Sequence, residues 1–154
     1  MNDHDVEAVY RRHGARIERA LIGSFGDRQL AGDATAQAFV ELLGHRGQVR
    51  RPDAWVWRSA FAIARGLATT SAPTYGLAPP DEGRGDQGVP IDLFGALAEL
   101  SPMQRQAVVL HHYGGWPIRE VAAMTGSTTN AVKVHLFRGR GRLRDLLGEE
   151  NADA

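Results

Sequence analysis

The side chains best suited to chemistry in this sequence are cations near its C-terminal end. Lys133, Arg138, Arg140, Arg142 and Arg144 follow Thr128, Thr129 and Asn130 in a stretch patterned as a helix. Arginines at this density can hold phosphate oxygens, while asparagine and lysine in the first turns can reach adenine and guanine edges in a major groove. Thr129, Asn130 and Lys133 are therefore the base-facing candidates, with His135 one turn later. Arg138 and Arg142 are placed for phosphates, with Arg140 between them. Plain structural readings stand beside these: Asn130 as a first-turn polar residue, His135 as a solvated side chain. Four arginines within residues 138–144 exceed what a helix dipole needs at its C-terminal end.

Other chemistries find little footing. The chain has no cysteine, so thiol catalysis, a disulfide framework and a thiolate zinc site are excluded. Its six histidines have no metal-ligand spacing with acids, and adjacent His111 and His112 would project about 100° apart on a helix. No nucleophile-elbow serine and no phosphate loop after a strand is present. The sequence predicts a protein that is not an enzyme and carries no cofactor or metal.

The chain of 154 residues has 18 basic and 18 acidic residues, hence zero formal charge, but the charges are segregated. Residues 1–72 carry +2, 73–100 carry −4, 101–147 carry +5 and the tail −3. The cationic excess thus coincides with the candidate DNA-binding segment. No apolar run approaches a membrane span and the acidic start lacks a signal-peptide pattern, so a cytoplasmic protein without membrane insertion is expected.

The elements that must position these residues are all helical. Val6, Tyr10, Ile17 and Leu21 recur at helical spacing until Gly23 to Gly26. Leu30, Ala34, Ala38 and Leu42, with Phe39 and Leu43 beside them, mark a second helix capped by Asp27 and ended by Gly44 and Gly47. Pro52 opens a third, striped by Val56, Ala60, Ile63 and Leu67. Residues 71–92 lose periodicity, gain Pro and Gly and turn acidic, as a flexible linker does. Beyond it, Ser101-Pro-Met-Gln104 is a capping box with a first-turn proline. That helix should bury Met103, Ala107 and Leu110 and stop at Gly114-Gly115. A helix over 118–125, a turn at Gly126 and a last helix capped by Thr128 or Thr129 complete a helix-turn-helix. Val132, Leu136 and Leu143 should face inward, and Gly139 and Gly141 predict fraying of 138–144 into a basic arm. The reading is all-α: a helical domain 1–70, the linker 71–92, a helix-turn-helix domain 93–148 and a disordered tail 149–154.

In this order the elements resemble the extracytoplasmic-function branch of the sigma-70 family of bacterial RNA polymerase sigma factors. Leu100-Ser-Pro-Met-Gln-Arg-Gln-Ala-Val-Val-Leu110, Tyr113, Gly126 and Ala131-Val-Lys-Val-His-Leu-Phe-Arg-Gly-Arg-Gly-Arg-Leu-Arg144 are similar to its region four, which reads the promoter minus-35 element. Gly26-Asp-Arg-Gln-Leu-Ala-Gly-Asp33 and Gln37-Ala-Phe39 resemble the clamp-binding helix of region two, and Arg51-Pro-Asp-Ala-Trp-Val-Trp-Arg58 the start of its promoter-melting helix. The resemblance implies RNA polymerase core, through the clamp of its beta-prime subunit, and promoter DNA as partners, with an anti-sigma factor as a further one. It places clamp contacts at Asp27, Arg28, Asp33, Gln37 and Glu41. Minus-10 contacts fall at Trp55, Trp57, Arg58, Phe61 and Arg65, the aromatics serving as stacking platforms for unpaired bases or as core, the latter favoured for Trp55.

The chain departs from the family pattern at two places. The usual Gln-Glu pair of the clamp helix is Ala36-Gln37. The usual Arg-Asn pair, Asp and basic cluster of the melting helix become Phe61-Ala62, Gly66 and Ala68-Thr-Thr-Ser71. Three functions follow: a sigma factor directing initiation, a sigma-like protein that binds polymerase or an anti-sigma without opening DNA, or a stand-alone helix-turn-helix regulator.

Overall fold

The structure is a computed structural model that describes residues 2–69 and 91–148. The linker expected over 71–92, save its last two residues, and the tail 149–154 lie outside the described residues. Every regular element among the described residues is helical. Helix α1 (Asp3–Phe25) begins at a capping box of Asn2 and Asp5 and ends where Gly26, at φ 69°, returns its N–H to the Ile22 carbonyl. Asp27 caps α2 (Arg28–His45) by accepting from the Leu30 N–H at 3.0 Å. Pro52 occupies the first turn of α3 (Pro52–Ala68), where its missing N–H costs nothing. These three helices pack pairwise on one another. Val6, Ile17, Leu21, Ala34, Ala38 and Leu42 are buried between them as their spacing predicts. Tyr10 and Leu43 are not: both are exposed, Tyr10 resting edge-on against Phe39 with ring centroids 5.1 Å apart.

Helix α4 (Ile91–Ala98) is an element that the sequence reading omits; it packs on α7 and α1. Ser101 and Gln104 form the expected reciprocal cap of α5 (Pro102–Val108). Met103 is only half-buried, while Ala107 and Leu110 are fully buried. The helix then widens into a π-helical turn over Val109–Tyr113, closed by the Gly114 N–H bonding to Val109 O at 2.9 Å. Helix α6 (Ile118–Thr125) ends at Gly126, φ 69°, and Thr128 caps α7 (Thr129–Leu147) through the Ala131 N–H. Helix α7 continues through both of its glycines to Leu147, so no frayed arm forms. Gly139 is buried against α5, where an added Cβ would lie 2.9 Å from Val108 Cγ2. The glycine that costs helix propensity lets two helices touch.

The two halves also pack against each other, α3 on α6 and α1 on α5 and the π turn. Buried residues of both join one cluster that includes Trp57, Phe61, Leu110 and Met124. Polar bolts cross the seam. Buried Arg105 donates to Ser24 O at 3.2 Å as well as to Leu97 O and Leu100 O. Arg16 donates to Tyr113 O at 2.6 Å and lies over its ring, and Arg19 donates to the Tyr113 hydroxyl at 2.8 Å. A tether alone does not describe this arrangement, because the halves share apolar surface that period-based reading assigns to each separately.

Candidate nucleic-acid and polymerase interfaces

Helix α7 divides cleanly. Val132, Leu136 and Gly139 are buried, with Leu143 half-buried beside them. Opposite, Asn130, Lys133, Val134 and Phe137 share the outward stripe, and Thr128, Thr129, Arg138, Arg140, Arg142 and Arg144 are all exposed around it. The predicted cations thus assemble as one uncovered surface. His135 does not join it: the ring lies on the flank, half-buried, and its Nδ1 is buried without a hydrogen bond. Arg142 is drawn toward α4, with Nη2 3.9 Å from Glu99 Oε1. Arg140 lies near enough to His112 to help depress that imidazole's pKa, after burial and together with His111. Sequence reading missed Val134 and Phe137, 45% and 74% exposed. Their spacing after Asn130 was the available signal, masked because apolar types are assigned to the core by default.

On α2, Arg28, Asp33 and Gln37 are exposed, and Gln37 donates to Glu41 at 3.2 Å. Glu41 is half-buried and also accepts from Ser59 on α3 at 3.4 Å, which ties the exposed face to the bundle. Asp27 is engaged as the helix cap. Val40, 65% exposed, sits one turn beyond Gln37 and two beyond Asp33 on the same face, and sequence reading does not single it out.

The α3 residues are arranged differently from a base-stacking site. Trp57 and Phe61 are 1% and 0% exposed, so neither can receive an unpaired base in this arrangement. Trp57 donates from Nε1 to His13 Nδ1 at 3.0 Å and meets Trp116 edge-on at 5.9 Å. Trp55, expected in the core, is instead half-buried beside His45 at 5.9 Å. The reason is helical phase. Val56, Trp57, Ala60, Phe61 and Ala64 form the buried stripe, with Trp55 at its edge.

The α3 cations face the C-terminal half. Arg51 Nη1 donates to Glu120 Oε2 at 2.8 Å, and Arg58 Nη2 lies 3.8 Å from Glu120 Oε1. Glu120 itself is buried at the start of α6. Its hydrogen bond and charge raise the Arg51 pKa further. Arg65 donates to Met124 O at 2.7 Å, and burial lowers its pKa. Burial also holds His13 below its ordinary value, against a smaller opposing pull from Asp53. That suits a neutral ring accepting the Trp57 proton.

Among the described residues, no group of histidines and acids could hold a metal ion, and no helix is long and apolar enough to cross a membrane. Residues 92–143 match the family model of sigma-70 region 4. The chain is 29% identical to the RNA polymerase sigma factor CarQ of Myxococcus xanthus over 93% of its own length and 89% of that protein's. It is 26% identical to the ECF RNA polymerase sigma factor SigE of Mycolicibacterium smegmatis, covering 96% of this chain and 63% of that protein. Two solved structures share the fold. The sigma factor RpoE of Bartonella quintana, bound to the anti-sigma factor NepR, superposes with a TM-score of 0.74 at 19% identity, over 93% of this chain and 96% of that one. CnrH, bound to the cytosolic domain of CnrY, superposes with a TM-score of 0.71 at 24% identity, over 99% and 92%. Region four is thus matched on the α4–α7 segment, and relatives described as RNA polymerase sigma factors, one of them an ECF sigma factor, are similar to the chain across both halves.

Proposed function

We propose that this protein directs bacterial RNA polymerase core to promoters. The helix-turn-helix reads the minus-35 element through α7, and the N-terminal unit docks on the beta-prime clamp through α2 and meets minus-10 DNA through α3. The observation that carries this is the outward stripe of α7, Asn130 and Lys133 among it, opposite the buried residues and bordered by exposed arginines. The protein acts in the cytoplasm, where polymerase and DNA are, and is not itself an enzyme. An anti-sigma factor is a further partner, of the kind bound to RpoE in its solved complex.

The cations of α3 are engaged by α6, so loading on polymerase separates the halves and frees Arg51, Arg58 and Arg65. The segment joining residues 69 and 91 then holds two weakly bound sites together at high effective concentration. Protection of minus-35 DNA by the core complex, abolished in Lys133→Glu/Arg138→Glu, tests the reading. No protection by the unaltered chain would reject it.

A second reading, polymerase binding without DNA opening, is favoured by the burial of Trp57 and Phe61 and by the neutral Ala68-Thr-Thr-Ser71. Permanganate footprinting separates the two. Reactive thymines in the bound complex support initiation, and a bound but unreactive duplex supports the second reading.

A further inference from the structure

The outward face of α7 carries two apolar side chains that no packing explains. Val134 is 45% and Phe137 74% exposed, whereas Val132 and Leu136 on the opposite face are 0% and 2%. Single exposed apolar residues are common on protein surfaces, but these two are i, i+3 neighbours on one stripe with Asn130 and Lys133. Cations border the stripe, with Arg138, Arg140 and Arg144 all exposed. The occupant must therefore present anionic edges on either side of a small apolar spot. A duplex major groove does so: phosphates line its walls, and the thymine 5-methyl is the apolar group on its floor. Phe137 lies about 10 Å along the axis beyond Asn130, at ~1.5 Å per residue, which spans about three base-pair steps of ~3.4 Å.

The geometry points to Val134 and Phe137 as specificity-determining residues that read thymine methyl groups within the DNA site of α7, selecting T at one or two positions downstream of the bases met by Asn130 and Lys133. This rests on the reading of α7 as a DNA-recognition helix. Both side chains are exposed, so their truncation leaves the core intact.

The test uses the full chain loaded on bacterial core polymerase, with a preferred site first selected from random duplexes. Each thymine of the selected site is then replaced by uracil, which removes only the methyl. The unaltered protein is expected to lose about threefold to fivefold in affinity at one or two of these positions, the worth of one buried methyl. Phe137→Ala or Val134→Ala is expected to bind thymine and uracil duplexes equally at those positions, while Arg138→Ala keeps the discrimination and weakens both. Equal binding of the two duplexes by the unaltered protein overturns the inference but leaves DNA recognition standing. So does undiminished discrimination in both apolar variants. Enrichment of no sequence at all would overturn the recognition reading as well.

Discussion

Gly139 and Gly141 sit two positions apart on α7, and their surroundings make opposite demands. An alanine Cβ at 139 would meet Val108 Cγ2 at 2.9 Å and Gln104 Cβ at 3.5 Å, whereas at 141 it would meet nothing within 4 Å. Alanine gains up to about 1 kcal/mol of helix propensity over glycine, and overpacking a stiff β-branched neighbour costs about 1–3 kcal/mol. Gly141→Ala should therefore stabilise by about 0.5–1 kcal/mol, and Gly139→Ala should destabilise by about 1 kcal/mol, both read from urea unfolding midpoints. Local signals were legible at this scale: Asp27, Ser101-Gln104, Pro52 and Gly126 each do what their types and neighbours predict, because capping and turn chemistry are settled within a few residues. The role of Gly139 was not, since its reason lies 31 positions away at Val108. Nor was the exchange between Trp55 and Trp57, which depends on helical phase against partners from another half.

Among the elements, α7 makes the sharpest demand. If α7 binds DNA as proposed, its cations, spread along the helix from Lys133 to Arg144, hold phosphates in parallel and without sequence preference. Arg138→Ala or Arg144→Ala should weaken binding to selected and random duplexes alike and lower the salt slope of log K by about 0.9 for each phosphate left without its cation. Asn130→Ala, in contrast, should cost about 1–3 kcal/mol on the selected site only. Titrations at several salt concentrations distinguish these outcomes, and a variant at 138 that kept the full slope would remove that residue from the phosphate set. Helix α4 shows where element-level reading stopped. Leu93, Phe94 and Leu97 have helical spacing, but the run is short and follows a Pro- and Gly-rich acidic stretch, which favours assignment to the linker. The π turn after α5 was equally hidden, because the five residues Val109–Tyr113 continue an ordinary helical pattern.

For the whole molecule, the consequential feature is the packing of the two halves, which covers α3 with α6. Glu120 is its electrostatic centre. It is buried and faces Arg51 and Arg58 across the seam. Glu120→Lys should place like charges together and separate the halves, seen as a larger radius of gyration in solution scattering; an unchanged radius would mean that the apolar packing suffices. The seam should also weaken in acid. His13 has its pKa lowered by burial and accepts the Trp57 N–H, so its contribution is fully present above the unfolded value of 6.5 and disappears as pH falls through the depressed folded value. His112 acts with the same sign. The thermal midpoint should fall between about pH 8 and about pH 5, and fall less in His13→Gln. The closed arrangement was not legible in sequence, because apolar periodicity locates a buried face without naming what covers it.

Whether α7 delivers RNA polymerase to DNA is decided by run-off transcription from genomic fragments with core polymerase and added protein. Discrete transcripts should appear that require the protein and vanish with Lys133→Glu/Arg138→Glu, while that variant still binds core. Transcripts undiminished by the charge reversal would contradict the role assigned to α7.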